Sequence, residues 1–312
     1  AGIEESGSDP APDITADTID LNSEAGVGDA DTLEISAPAI TVDSANGGED
    51  VDLEATAGAD IALNSATISN NPGAITIAVT GSVNLATGGN VTTNDGNIDI
   101  SVDDGNLDLS GDTVTAGGGG DINLATTTAG NITLGTLDAT GNTVTANSVG
   151  FLQDDNAGTP DITAGTLNLD AVTGIGTAGV PLEIQGATSL ALDNSGVGDV
   201  NVDHVAGGAG ATVSSLTTDT GTITFDQTGG QSLSVTTAET TTGGAITITN
   251  DNANLTADTV SAGGANNIVL TTTTGGDVLV GNVTATGDQV TVNSAAGIEE
   301  SGSDPAPDIT AD

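Results

Sequence analysis

The 312-residue chain carries 44 acidic residues, a single histidine and neither lysine nor arginine, which removes Lys and Arg ion pairs and, with them, recognition of nucleic acid or of an anionic membrane. Having no cysteine, it has no disulfide framework and no thiolate metal site, a composition that permits an extracellular location. Two Phe and no Trp, Tyr or Met supply a globular core poorly, whereas 46 glycines with abundant Thr, Asn and Asp suit short strands joined at tight corners.

In chain order, the opening segment Ala1–Asp17, AGIEESGSDPAPDITAD, returns letter for letter as Ala296–Asp312, an offset of 295 residues. The expectation is that residues 1–295 form one tandem repeat and residues 296–312 begin the next. The chain then reads as a window on a longer array whose caps, export signal and anchor lie elsewhere. The phrase SGSDPAPD at Ser6–Asp13 holds two prolines that cannot donate to a ladder, so it predicts a loop leaving a corner. NAGTPD at Asn156–Asp161 is its counterpart. Because function concentrates on projecting loops, Ser6, Asp9, Pro10, Pro12, Asp13, Asn156, Pro160 and Asp161 are candidate contact residues.

From Ala74 to Thr143 the apolar residues recur at two periods. Alternation puts Ile75 and Ile77, Val83 and Leu85, then Val91 on one side of short runs. The plan returns with Ile98, Ile100, Leu107, Leu109 and Val114, and again with Ile122, Leu124, Ile132, Leu134 and Leu137. Alternation predicts strands with one buried face, and its return every 23 or 24 residues predicts coils of a stack. The fold class is therefore all-β, a parallel β-helix or β-solenoid with three short strands per coil, in which each coil buries its aliphatics only against its neighbours.

An older duplication lies inside the repeat. Asp112–Ser148 aligns without gaps on Asp258–Ser294, identical at 20 of 37 positions with an offset of 146, which gives half-repeats of about 1–148 and 149–295. The phrase FLQDDNAGTPDITAG starting at Phe151 matches IEESGSDPAPDITAD starting at Ile298 at an offset of 147, and the pairing of Phe151 with Ile298 marks both as core. GVGDADTLEI at Gly26–Ile35 and GIGTAGVPLEI at Gly174–Ile184 mark where regular coils resume.

The phrases GNITLGTLDATGN (Gly130–Asn142), GGDINLATTTAGNITL (Gly119–Leu134) and GIGTAGVPLEI resemble the repeats of filamentous haemagglutinin-type adhesins, large exoproteins of Gram-negative bacteria. The resemblance covers nearly the whole chain. It implies a right-handed parallel β-helix, export by two-partner secretion to the cell surface, and a role in adhesion or biofilm formation.

Local chemistry is sparse. Asp103 and Asp104 in SVDDGN and Asp154 and Asp155 in LQDDNAG are candidate ligands for calcium or another divalent cation, since hard cations take carboxylate oxygens. Glu4, Glu5 and Asp9 form a further acidic concentration. None fits an EF-hand loop or a calcium-binding nonapeptide. His204, beside Asp203, reads as a corner residue, and the chain is expected not to be an enzyme, because a carbohydrate-cleaving β-helix needs cationic and proton-transferring partners for its carboxyls. Thr126–Thr128 and Thr271–Thr274 read as strand formers on a solvated face. Lacking internal cations, nearly every carboxylate is expected to face water, a backbone N–H or a bound cation. No cofactor is expected beyond loosely held divalent cations.

The expected function is a structural unit of a giant acidic surface fibre mediating adhesion or cell-to-cell contact. Its partners are further copies of itself and a cell-surface or glycan ligand, with no nucleic acid and no membrane insertion. The alternative is a sheath or surface layer packed laterally through divalent cations; a third class is a carbohydrate-processing enzyme, for which a groove lined by Asp around His204 would be the sign.

Overall fold

The structure is a computed structural model that describes residues 2–7, 11–45, 49–56, 60–69, 72–82, 84–155, 160–302 and 307–311. Among them there is no helix, and the strands pair in parallel into a β-solenoid. The chain divides into two compact units, Ala1–Phe151 and Leu152–Asp312.

In the first unit one inward column runs Ile3, Val27, Val51, Ile75, Ile98, Ile122 and Val144, each residue in register with the next. A second runs Leu33, Leu53, Ile77, Ile100, Leu124 and Ala146, and a third Ile61, Leu85, Leu107 and Ile132. Parallel pairing without register slip places like on like: the residue that buries its side chain in one turn has the same phase in the turn above. In the second unit the corresponding columns are Leu152, Ile175, Val200, Ile223, Ile246, Ile268 and Val290, and Leu182, Val202, Phe225, Ile248 and Leu270.

The fourteen predicted core residues from Ile75 to Leu137 that the structure describes are all at most 2% exposed; Val83 lies outside the described residues. Three strands per turn occur where Ile75–Val79, Leu85–Thr87 and Val91–Thr93 follow one another. Elsewhere a corner is taken without breaking the pairing, and Thr136–Ser148 runs on as one bent strand of 13 residues. Corners bring backbone onto backbone: a Cβ on Gly130, at φ +120°, would sit 1.6 Å from the carbonyl oxygen of Gly105. Only glycine fits there.

One expectation is corrected. Phe151 and Ile298 are not a matched core pair, since Phe151 is 44% and Ile298 55% exposed. Strand Leu152–Asp154 corresponds to strand Ile298–Glu300 at an offset of 146, whereas the strands beginning at Ile162 and Ile309 correspond at 147. The odd residue falls within the Pro loop, so an ungapped alignment slides Phe151 onto the place that Leu152 holds. Leu152 is fully buried, and a slip of one residue turns a side chain to the opposite face. Ile298 takes the inward register on Val278, but among the described residues its strand has a paired neighbour on that side alone.

Candidate functional site

Each Pro loop is closed at its base by carboxyl groups. In the second unit, strand Leu152–Asp154 delivers Asp154, the chain returns at Asp161 immediately before strand Ile162–Ala171, and the next turn contributes Glu183 from strand Leu182–Gln185. The carboxyl oxygens of Asp154, Asp155 and Asp161 lie within 4.8 Å of one another. Asp161 is anchored both ways, its N–H donating to the Glu183 carbonyl at 2.9 Å and its Oδ2 accepting from the Glu183 N–H at 3.0 Å. In the first unit Asp13 and Glu34 repeat the two-way clasp, the Asp13 N–H donating to the Glu34 carbonyl at 2.7 Å and the Glu34 N–H to Asp13 Oδ2 at 3.4 Å, but here the carboxyl oxygens within 4.8 Å of one another are those of Glu5, Asp13 and Glu34, the last from the next turn.

The two clusters differ in burial. Asp161 is 2% and Asp154 8% exposed, while Asp13 is open to solvent and Glu5 and Glu34 are half-buried. Burial first, then the Asp154 carboxyl beside it, pushes Asp161 up to about 10, although the Glu183 N–H opposes the shift. Partial desolvation and the charges of Glu5, Asp13 and Glu54 raise Glu34 in the solvated copy.

The sign of the resulting pH effect follows directly. A carboxyl that ionises near 3.8 in the unfolded chain but near 10 in the folded one keeps a proton on folding throughout the interval between. Its stabilisation is complete below the lower value and is lost as pH rises toward the upper. Urea midpoints of the native chain are therefore expected to fall from pH 5 to pH 9, this one site contributing no more than about 1.4 kcal/mol per pH unit. Asp161→Asn, which keeps an acceptor for the Glu183 N–H, is expected to flatten that slope. Coincident slopes for the two proteins would contradict the assignment.

Of the sequence candidates, Ser6, Pro12, Asp13 and Pro160 are exposed, Asp161 is buried, and Asp9, Pro10 and Asn156 lie outside the described residues. Asp103 and Asp104 join no group of three acids among the described residues. Asp103 Oδ1 instead accepts the hydroxyls of Thr127 at 2.8 Å and Thr128 at 2.7 Å, and Asp104 accepts that of Ser82. The Thr128 and Thr127 hydroxyls hold Asp103 below its ordinary range, and Thr273 and Thr274 do the same for Asp251. Thr217 serves Asp193 at 2.6 Å and Thr242 serves Asp219 at 2.7 Å. Hydroxyls of the following turn are thus a partner for carboxylates that the composition alone did not suggest; the threonine runs fall in or beside strands Ile122–Ala129 and Ile268–Thr273 as expected, and Thr127, Thr128, Thr273 and Thr274 are among these donors. Thr126 departs furthest, being buried with its hydroxyl on the Gly130 carbonyl at 3.2 Å.

His204, read as a corner residue, lies near the end of strand Val200–Val205. It stands in register between Ile184 and Gln227 on the inward side and is 0% exposed. Its Nδ1 lies 3.0 Å from Gln227 Oε1, the Gln227 amide donates to Asn250 Oδ1 at 3.0 Å, and the Asn250 amide donates to the carbonyls of Gln231, Ala253 and Asn254 at 3.1, 3.1 and 2.8 Å. Thr272, in register above Asn250, donates to the Gly276 carbonyl at 2.9 Å. This polar column satisfies the carbonyls that the corner turns away from water. Burial lowers the His204 pKa, against the effect of Gln227 and the Ala187 backbone.

Outside that column, Glu183, Asp203 and Asp226 stand in register on the outer face. With Pro160, Val205 and Asp251 they line a groove of about 600 Å³ that has His204 among its lining residues. Burial and the neighbouring Asp226 charge raise Asp203. The groove is the acidic one that a carbohydrate-processing reading asks for, but the His204 ring is wholly buried and bonded to Gln227.

The fold and these sites define a parallel β-solenoid with acid-closed Pro loops and internal polar ladders. Comparison with known protein families, characterised proteins and solved structures finds no match.

Proposed function

We propose that the chain is a structural tandem-repeat unit of a giant, secreted, acidic surface fibre, similar in kind to the filamentous haemagglutinin-type adhesins, and that it mediates adhesion or cell-to-cell contact. The observation that carries this reading is the unbroken register of the aliphatic columns, turn upon turn, from Ile3 to Val144 and from Leu152 to Val290. Such a stack extends without limit by adding turns. The Pro-containing segments Ser6–Asp13 and Asn156–Asp161 are the expected contact points.

Antibodies against residues 84–155, applied to intact cells, are expected to label fibres projecting from the surface. Cells with the coding sequence deleted are expected to lose most of their attachment to one another. A planar lattice that dissolves in EDTA would replace the fibre with a laterally packed sheath, and label confined to the cell interior would overturn both.

A further inference from the structure

We infer that the segment shared by both ends of the repeat is a single turn with two mating faces, and that strands Ile298–Glu300 and Ile309–Ala311 are the seat for the turn beginning at Val27 of a following copy. This rests on the tandem-repeat reading above and adds the register of the junction.

The seventeen residues Ala1–Asp17 and Ala296–Asp312 are identical, yet the structure shows them with neighbours on opposite sides. At the later position Ile298 pairs with Val278 and Ile309 with Val283, both in the preceding turn. At the earlier position Ile3 pairs with Val27 and Ile14 with Ile35, both in the following turn. One sequence is seen holding the turn below and, separately, the turn above.

The backbone groups used on the two sides do not compete. Toward the preceding turn, the Gly297 and Asp308 carbonyls accept from the Val278 and Val283 N–H groups at 3.0 and 2.7 Å, and the Ser301 N–H donates to the Val280 carbonyl at 2.7 Å. Toward the following turn, the Ile3 N–H donates to the Gly26 carbonyl at 3.3 Å, and the Ile3 carbonyl accepts from the Gly28 N–H at 2.8 Å. The Asp13 and Ala16 N–H groups donate to the Glu34 and Ser36 carbonyls at 2.7 and 3.2 Å. Carried onto the identical residues, the first set takes the Gly297 and Asp308 oxygens and the Ser301 nitrogen. The second takes the Ile298 nitrogen and oxygen and the Asp308 and Ala311 nitrogens. No atom is claimed twice, as parallel strands with neighbours on both sides require.

Side chains agree. Ile298 is 55% and Ile309 41% exposed, large aliphatics of the kind that a further strand covers. The junction column then reads Val278, Ile298, and Val27 of the following copy. Glu300 and Asp308 meet Glu34 of that copy, which reproduces the Glu5, Asp13 and Glu34 cluster at the boundary.

The test uses a chain of two tandem copies. The native chain has no cysteine, and neighbouring parallel strands stand about 4.8 Å apart, within disulfide reach. One variant carries Thr284→Cys with Thr310→Cys; another carries Thr310→Cys with Ser36→Cys in the second copy. Both pairs are expected to close under mild oxidation, while Thr310→Cys with Asp31→Cys in the second copy stays reduced. In the cysteine-free tandem, the Ile298 and Ala311 amides are expected to exchange at least tenfold more slowly than in the 312-residue chain. Closure of the lower pair without the upper, equal closure out of register, or unchanged exchange overturns the shared turn. Each of these results is separable from the fate of the adhesion assay, which reads cell contact and not register.

Discussion

Replacing Ile98 with aspartate is expected to destroy cooperative unfolding of the first unit. Ile98 is 0% exposed and sits between Ile75 and Ile122 in a seven-residue column. Loss of its burial costs about 2–5 kcal/mol, and a carboxylate left in that column adds several more, because the chain contains no lysine or arginine to pair with it. The sum is comparable to the roughly 5–15 kcal/mol that holds an ordinary domain together. Ile98→Val, which keeps the shape of the column, is expected to cost only about 0.5–1.5 kcal/mol. Urea unfolding followed by circular dichroism distinguishes the two. An aspartate variant no weaker than the valine one would mean that the side chain does not face the interior.

Asn250→Ala is the second large effect. Asn250 is 0% exposed, and its amide group serves three corner carbonyls while its oxygen takes the Gln227 amide. Truncation removes all four bonds: the Gln231 carbonyl keeps the Gln227 amide at 2.8 Å and the Asn254 carbonyl keeps the Leu233 N–H at 3.0 Å, so the Ala253 carbonyl is the group stripped of its partner. At about 1–3 kcal/mol for that carbonyl and about 0.5–1.5 kcal/mol for each of the other three bonds, and allowing for incomplete additivity, a loss of about 3 kcal/mol is expected. Asn250→Asp is expected to be at least as damaging, because an ionised carboxylate offers no donor to the three carbonyls. Thermal melting at pH 7 checks both. A melting point within 2 or 3 degrees of the native value for the alanine variant, where about 1 kcal/mol already moves a domain of 150–250 residues by about 2–4 degrees, would show that water replaces the side chain.

These two residues also mark what the sequence discloses. Ile98 is legible because an alternating run returns in phase after a fixed interval, and hydrophobic side chains declare their own face. Asn250 is not, because an inward polar residue has the composition of an outward one. A signal was present nonetheless: Val200, Val202 and His204, then Ile223, Phe225 and Gln227, then Ile246, Ile248 and Asn250 each place a polar side chain two residues after an inward pair, at the same phase. The carboxyl clusters are legible only in part. The Pro loops supply Asp13 and Asp161, but their partners Glu34 and Glu183 lie a whole turn later and reach them through parallel register. The twice-occurring phrase ending in Leu-Glu-Ile carried both glutamates. Phe151 was misplaced because one extra residue in a loop is invisible to an ungapped comparison.

The loop that absorbs this odd residue indicates how such a chain can change size. Within a strand, gaining or losing one residue turns every later side chain to the opposite face, but the intervals that separate Val51, Ile75, Ile98, Ile122 and Val144 are 24, 23, 24 and 22 residues, so the corners between strands absorb single residues while the columns lengthen by whole turns. At a Pro loop, too, the phase is reset by the clasp of Asp161 on Glu183, and smaller edits survive. Lineages of this protein should therefore differ in stature by quantised steps, with the fine-grained variation gathered at the corners and loops.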